Sequence, residues 1–381
     1  MPEVLGDLKV LDFSRVLAGP FATMLLGDFG ATVLKVEKPG DGDLSRSWAP
    51  PYGPSGEATY FLSVNRNKSS ISLDLTDPED LSLARDLALQ ADVVVENFRP
   101  SVMDRLHLGY QELSKDNPRL VYCSITAFGS GAGAGLPGYD LLVQALGGLM
   151  SITGEAAGAP QKVGVALVDV LAGLFTTVGI FAALRHRDAT GEGQRVEVDL
   201  LSSILGALVN QAAAYSVAGI EPSRLGNAHP SIAPYELFKC GGRDIVIAVG
   251  NERQFEALCR VLGLTSLTED ERFAGNPARV ANRVALRSAI EGALCAGDPE
   301  DWVEKLVMSG VPAGQVNDIG AAFALADRLG LAPFVQLRSV EGAPLRLARN
   351  PVRLSKTPVS YRLPPPGLSA RKAQKGTSSW T

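Results

Sequence analysis

Asp169 is the residue whose surroundings single it out for chemistry. It stands where a short apolar run, Gly164–Val168, hands over to a long apolar helical stretch, Val170–Leu184, with no Lys or Arg close in sequence. A carboxylate placed there without a partner is costly, so something specific must hold it. Two roles fit the position. Asp is among the best helix N-caps, its side chain accepting from free amides of the first turn. The same geometry also makes a reactive site, because the positive end of a helix favours the ionised form and α/β active sites lie at the carboxyl edge of a parallel sheet. From the residues alone the cap and the nucleophile stand equal.

Other chemistry-bearing patterns carry less. Gly133-Ala-Gly-Leu-Pro-Gly138 matches GxGxxG, but Ala127 to Ala132 separate it from the preceding strand. Pro137 also lacks the amide a phosphate needs. The stretch Gly129–Gly138 reads instead as a glycine-rich loop of the kind that can close over a site. His107 and His186 lie in charged helix-end contexts and His229 in a loop, and no HxxxH, HExxH or GxSxG pattern occurs, so no metal is implied. Cys123, Cys240, Cys259 and Cys295 are widely spaced with no CxxC pair, which argues against a disulfide framework or a zinc site and for a reducing cytoplasm.

The elements that must position Asp169 are those of an α/β protein. Short β-branched runs at Lys9–Phe13, Thr32–Glu37, Ser70–Leu75, Asp92–Glu96, Leu120–Ile125, Gly164–Val168 and Arg195–Asp199 alternate with helical patterns, the mark of βαβ units and a parallel sheet. The clearest helix is Pro78–Gln90, with Asp77 as N-cap and Pro78 at its first position. After a helix at Ser202–Ala218 the style changes in the loop Gly219–His229. A strand pair follows at Tyr235–Lys239 and Asp244–Val249 around Gly241-Gly242, then helices at Arg253–Leu262 and Pro299–Met308. A final strand is expected at Leu345–Leu354, before Pro364-Pro-Pro-Gly and a Lys/Ser/Thr tail expected to be extended or disordered. At 381 residues the chain exceeds a single core, so a large domain over 1–218, a small α+β domain over 219–330 and a last stretch with the tail over 331–381 are expected.

Composition narrows the partners. A net charge of −5 with no dense Lys/Arg block disfavours nucleic acid. The start of the chain has no basic region followed by an apolar one, so no signal peptide is expected. Val163–Leu184 carries Asp169 as its sole charge, but the charge-free part, Val170–Leu184, is 15 residues. A bilayer core needs about 20, so this reads as a core helix and no membrane association is expected.

Several longer runs resemble one family in order along residues 8 to about 355: Val10-Leu-Asp-Phe-Ser-Arg-Val-Leu-Ala-Gly-Pro20, Gly27-Asp-Phe-Gly-Ala-Thr-Val-Leu-Lys-Val-Glu-Lys-Pro39, Asn65-Arg-Asn-Lys-Ser69, Val94-Val-Glu-Asn-Phe-Arg-Pro100, Asn117-Pro-Arg-Leu-Val-Tyr122, Pro137-Gly-Tyr-Asp140, Gly164-Val-Ala-Leu-Val-Asp169 and Thr190-Gly-Glu-Gly-Gln194. They are similar to the class III CoA-transferases. The resemblance implies a Rossmann-like large domain built from both ends of the chain, a smaller domain between, and a homodimer of interlocked rings. It implies CoA transfer from an acyl-CoA to a free carboxylic acid, with coenzyme A as substrate and no tightly bound cofactor. Asp169 would be the nucleophile, passing through an acyl-aspartyl anhydride and an aspartyl-CoA thioester.

By the same resemblance, Val16, Leu17 and Ala18 lie along the CoA molecule, Lys38 faces phosphate, Leu73, Asn97, Phe98 and Arg105 line the site, and Tyr139 stands at its mouth. Pro137 replaces the lysine of formyl-CoA transferases, and their glycine tetrad is absent, which speaks against formyl or oxalate specificity. The runs Gly226-Asn-Ala-His-Pro-Ser-Ile-Ala-Pro-Tyr235 and Gly250-Asn-Glu-Arg-Gln-Phe255 resemble the branch that uses succinyl-CoA with dicarboxylic acids. Two alternatives remain. One is an α-methylacyl-CoA racemase of the same fold, although Tyr139 stands where those enzymes have histidine and is a poor base near neutral pH. The other is a catalytically silent CoA-binding protein.

Overall fold

A computed structural model describes residues 3–369 and Trp380. The expected extended or disordered tail falls largely on 370–379 and 381, outside the described residues. The chain forms two compact units: Met1–Leu149 with Lys162–Ile220 and Ala332–Thr381, and Met150–Gln161 with Glu221–Leu331. Residues 150–161, expected in the first stretch of the large domain, thus group with the smaller unit.

The larger unit is built on six parallel strands: β1 Lys9–Asp12, β2 Thr32–Glu37, β3 Lys68–Ser72, β4 Val93–Glu96, β5 Val121–Thr126 and β6 Arg195–Asp199. Their spatial order is β3-β2-β1-β4-β5-β6, the doubly wound order in which the chain reverses direction between β1 and β4 and leaves a crevice at their carboxyl ends. Strands so covered on both faces read as nearly continuous apolar runs. One face packs against helices α1 (Ala18–Asp28) and, later in the chain, Leu167–Thr190, through residues such as Leu26, Val93, Ile180 and Leu184. The other buries Leu11, Val94 and Tyr122 against α2 (Pro78–Gln90), whose Asp77 accepts from Glu79 N and Asp80 N as a capping residue should.

The expected strand Gly164–Val168 does not exist. Its backbone is drawn to side chains of α3 (Asp140–Leu146): Gln144 Oε1 accepts from Val163 N at 2.9 Å and Asp140 Oδ1 accepts from Val168 N at 2.8 Å. The helix therefore starts early, and α4 spans Leu167–Thr190, 24 residues rather than the expected 15. By length and composition α4 is sufficient to cross a bilayer, so shortness does not exclude a span. In this fold it lies along α1, where Gly173 permits close approach: a Cβ there would meet Ala18 O at 2.7 Å and Phe21 Cδ1 at 3.0 Å.

The helix expected at Ser202–Ala218 is two, α5 (Leu200–Ala207) and α6 (Val209–Ala218), bent by 81° where Val209 takes a positive φ of 41°. A β-branched residue in that region cannot continue a right-handed helix.

The chain end returns to the larger unit as an antiparallel pair, β10 (Phe334–Arg338) and β11 (Pro344–Ala348), shorter than the strand expected at Leu345–Leu354. It then closes over a buried ion pair. Arg66 bonds Asp28 through Nη2 at 2.6 Å, Asn350 Nδ2 reaches the same carboxylate at 3.1 Å, and Arg66 Nη1 donates to Ala348 O. Asn67 N donates to Leu363 O, while Asn67 Oδ1 accepts from Arg362 N at 2.7 Å.

The smaller unit carries a three-stranded antiparallel sheet, β7 (Tyr235–Cys240), β8 (Arg243–Ala248) and β9 (Ala313–Gln315). Gly241 and Gly242, at φ 50° and 90°, make the tight hairpin that needs two left-handed residues. Helices α7 (Glu252–Val261), α8 (Arg283–Leu294) and α9 (Pro299–Met308) bury Phe255, Leu258, Ile290 and Leu306 in a core shared with Phe238 and Ile245 of its sheet.

Candidate active site

The crevice between the carboxyl ends of β1 and β4 is shaped by two loops clamped together. Asn97, just past β4, accepts from Arg15 N through Oδ1 and donates to Arg15 O through Nδ2, both at 2.8 Å. Arg15 in turn lays its guanidinium over the Phe98 ring, 4.6 Å from its centre. Phe98 is fixed from behind, where Glu96 Oε2 accepts from its amide at 2.9 Å. Burial raises the Glu96 carboxyl to about 7.

The β1 loop is held from beneath by charges in the sheet. Lys35, in the middle of β2 and fully buried, donates to Ser14 O at 2.7 Å and pairs with Asp43 at 2.8 Å. Lys68 pairs with Asp12 at 3.1 Å and also donates to Pro20 O and Asn65 Oδ1. Asp12 further accepts from Ser14 and from Thr23 Oγ1. Asp43 accepts from Val16 N through Oδ1 at 3.1 Å and from Ser45 N at 2.9 Å.

Burial opposes the Asp43 charge, yet Lys35 and these amides outweigh it and hold the carboxyl down at about 2. Burial, with the repulsion of Lys35, lowers Lys68 to about 8. Val16 sits at φ 70°, a left-handed conformation unusual for a β-branched residue. Its amide is turned onto Asp43, and α1 begins two residues later at the wall of the crevice.

Three adjoining cavities run along this edge. The first, about 310 Å³, includes Lys38, Leu73, Phe98 and Arg105. The second, about 330 Å³, shares Arg15 and Phe98 with it and adds Val16, Leu17, Ala18, Asn97, Tyr139 and Asp169. The third, about 360 Å³, shares Val16, Tyr139 and Asp169 with the second and extends past Trp48 and Tyr60 to Lys162. All ten residues expected at the site thus line one connected set of cavities, with Asp169 where the last two meet.

Two details differ from expectation. Lys38 is exposed and pairs with Asp41 at 3.2 Å, and Leu73 is a core residue that only edges the cavity.

Asp169 is not the cap of its helix. It lies in the first turn of α4, and the capping carboxylate is Asp140, whose Oδ1 accepts from Val168 N at 2.8 Å and Asp169 N at 3.3 Å. The other Asp140 oxygen accepts from Gln144 Nε2 at 2.6 Å. Among the described residues no donor reaches the Asp169 carboxylate itself. The expected anionic state is therefore corrected: burial first, and the Asp140 charge second, raise its pKa to about 7. A carboxylate with that pKa is a stronger nucleophile than an ordinary one and is still half ionised at neutral pH. Tyr60, in the same cavity, is raised to about 12 by burial and by Asp169 and Asp140, so its hydroxyl remains protonated and able to donate.

Sequence reasoning missed Asp140, Asp43, Arg15, Tyr60 and Lys162. One signal was present, a lysine at the centre of the apolar strand Thr-Val-Leu-Lys-Val-Glu of β2, which requires a buried counter-charge.

A buried carboxylate thus heads a crevice at the carboxyl edge of a parallel sheet, where α/β enzymes hold their substrates, and the class of enzyme follows from comparison. The family model described as CoA-transferase family III matches residues 5–372. The chain belongs to that family and is a CoA-transferase. It is 41% identical over 376 residues to a succinate–glutarate CoA-transferase of Agrobacterium fabrum, covering 97% of this chain and 94% of the relative. It is 39% identical over 375 residues to a succinyl-CoA:mesaconate CoA-transferase of Haloarcula hispanica, covering 95% and 92%. A crystal structure of a CAIB/BAIF family protein from Brucella suis superposes with a TM-score of 0.85 at 40% identity, covering 97% of each chain.

Proposed function

We propose that this enzyme moves CoA from succinyl-CoA to a short dicarboxylic acid through covalent intermediates on Asp169. The observation that carries the mechanism is the position of Asp169 at the junction of two cavities, with a raised pKa and, among the described residues, no hydrogen-bond donor on its carboxylate. The first cavities, edged by Lys38 and Arg105, offer cations for the phosphates of CoA. The last offers a space for the acyl group.

An Asp169 oxygen attacks the thioester carbonyl, the C–S bond breaks, and CoA leaves as thiolate from a mixed anhydride. The thiolate then attacks the aspartyl carbonyl and expels the donor acid as carboxylate, leaving an aspartyl-CoA thioester. The acceptor carboxylate attacks that carbonyl and releases the thiolate again. The thiolate's attack on the acceptor side of the new anhydride gives acceptor-CoA and frees Asp169. Tyr60 and the backbone amides near the start of α1 are placed to stabilise the oxyanions.

The substrate pair is supported by the two dicarboxylate-using relatives. We extend the reading to a homodimer of interlocked rings, supported by a run of exposed apolar side chains on α4 to α6, among them Phe175 at 46%, Val178 at 65% and Val217 at 86% exposure. A reducing cytoplasm suits the four unpaired cysteines.

The deciding experiment is trapping. After exposure to succinyl-CoA, hydroxylamine should convert Asp169 to a hydroxamate, and borohydride should reduce it to the alcohol, in a peptide containing residues 164–173. Asp169→Ala should abolish both trapping and exchange while retaining CoA binding. Near-normal turnover in Asp169→Ala would end the proposal, and racemisation of a 2-methylacyl-CoA without acceptor would replace it with the isomerase reading. Light scattering at micromolar concentration tests the dimer, which a monomer mass would refute.

A further inference from the structure

The cavity beyond Asp169 presents an electrostatic problem for a dicarboxylic substrate. One substrate carboxyl must reach Asp169, and the other remains ionised at neutral pH. The cavity already holds two acids, Asp140 and Asp169, and much of its remaining wall is aromatic or aliphatic, including Trp48, Tyr60 and Val165. Trp48 and Tyr60 meet edge to face at 5.2 Å. Without a counter-charge, a remote carboxylate there would be repelled and poorly solvated.

Lys162 is the one cation lining that cavity among the described residues. Its ammonium donates to Val163 O at 3.2 Å and, among the described residues, has no carboxylate within ion-pair distance. Asp140 forms no ion pair with it; both oxygens of that carboxylate are engaged by the α4 amides and Gln144. Arg15 and Arg99 line the second cavity, on the CoA side of Asp169.

We propose that Lys162 binds the remote carboxylate of the acyl group and of the acceptor acid, and so selects dicarboxylic over monocarboxylic substrates. This rests on the dicarboxylate reading above. The lysine's length lets one ammonium serve diacids of slightly different chain length, and its exposure lets the substrate enter with its charge still hydrated.

The test compares glutarate with butyrate as acceptors at one saturating concentration of succinyl-CoA, so that any effect on the donor is common to both. In Lys162→Met the ratio of kcat/KM for glutarate to that for butyrate should fall about tenfold or more, as expected for loss of a charged hydrogen bond. The fall should lie in the glutarate KM. Lys162→Arg should restore most of the ratio, and Lys162→Glu should lower it further. An unchanged ratio in a folded Lys162→Met enzyme overturns the assignment while leaving dicarboxylate transfer intact. A wild-type enzyme that prefers butyrate overturns both.

Discussion

Replacing Asp140 by Asn removes the charge of that residue and the bond it accepts from Gln144 Nε2 at 2.6 Å, while its bonds to the α4 amides can persist. Asn retains an oxygen for the Val168 and Asp169 amides, which Asp140 now receives at 2.8 and 3.3 Å, but removes a negative charge next to the nucleophile. Taking the carboxyl groups as about 5 Å apart, their repulsion at an effective dielectric near 20 is about 3 kcal/mol, roughly halved by the solvent that reaches the cavity. That is worth about one unit of pKa. The Asp169 carboxyl, raised to about 7 in the native enzyme, should therefore titrate near 6 in the variant.

Because the ionised form attacks, kcat/KM for succinyl-CoA should rise with pH through the Asp169 pKa, and the rise should come earlier in Asp140→Asn. The assay is kcat/KM from about pH 5 to 9 for both enzymes. Its readout is the difference between the two profiles, in which the titrations of CoA itself cancel. At pH above 8 the variant should be slower than the native enzyme, since a less basic carboxylate is a weaker nucleophile. Superimposed profiles, or a shift toward higher pH, would refute the view that Asp140 tunes Asp169 through charge.

The remaining predictions concern stability. Asp169 has a folded pKa above its ordinary value, so its ionisation opposes folding; native stability should fall as pH rises from about 4 through 7. Asp169→Asn should raise Tm by a few degrees at pH 8 and hardly at pH 4, which differential scanning calorimetry would check. Asp43 behaves oppositely, its contribution being present above about pH 4 and lost as pH falls through about 2. Asp43→Ala strands the Lys35 ammonium and frees the Val16 amide, so it should cost about 3–5 kcal/mol in urea unfolding. Gly173→Val should cost at least about 1–3 kcal/mol by driving α4 from α1, and should lower kcat because Ala18 is displaced from the cavity it shares with Asp169.

What the sequence made legible was local. Helix α2 is read to the residue because Asp77 and Pro78 announce its start, and β2 and β6 because their β-branched runs are bounded by turns. The candidate site was legible as a place, through Asp169 and the residues that follow strands, since the carboxyl edge of a parallel sheet gathers whatever lies there.

What escaped was long-range pairing. Asp140 caps a helix 28 residues further on, and nothing local to either segment records that bond. The apparent strand at Gly164–Val168 has the right residues but finds side chains of α3 instead of a neighbouring strand, so its apolar character serves packing. The bend at Val209 is likewise imposed by the surroundings, against the helical pattern on both sides.

The pair Arg66–Asp28, closed by Asn350 and flanked by the segment at Leu363 that bonds Asn67, also bears on the order in which the molecule is made. On the ribosome, the sheet and its two lysines emerge first, and the whole of Glu221–Leu331 must follow before the last partners of Asp28 and Asn67 exist. Synthesis proceeds at about 5–20 residues per second, so the nascent larger unit waits many seconds with these polar groups uncovered. Premature termination anywhere after Ile220 and before Asn350 would release a chain with all six strands of the parallel sheet and an open seam, a species suited to capture by chaperones and proteases.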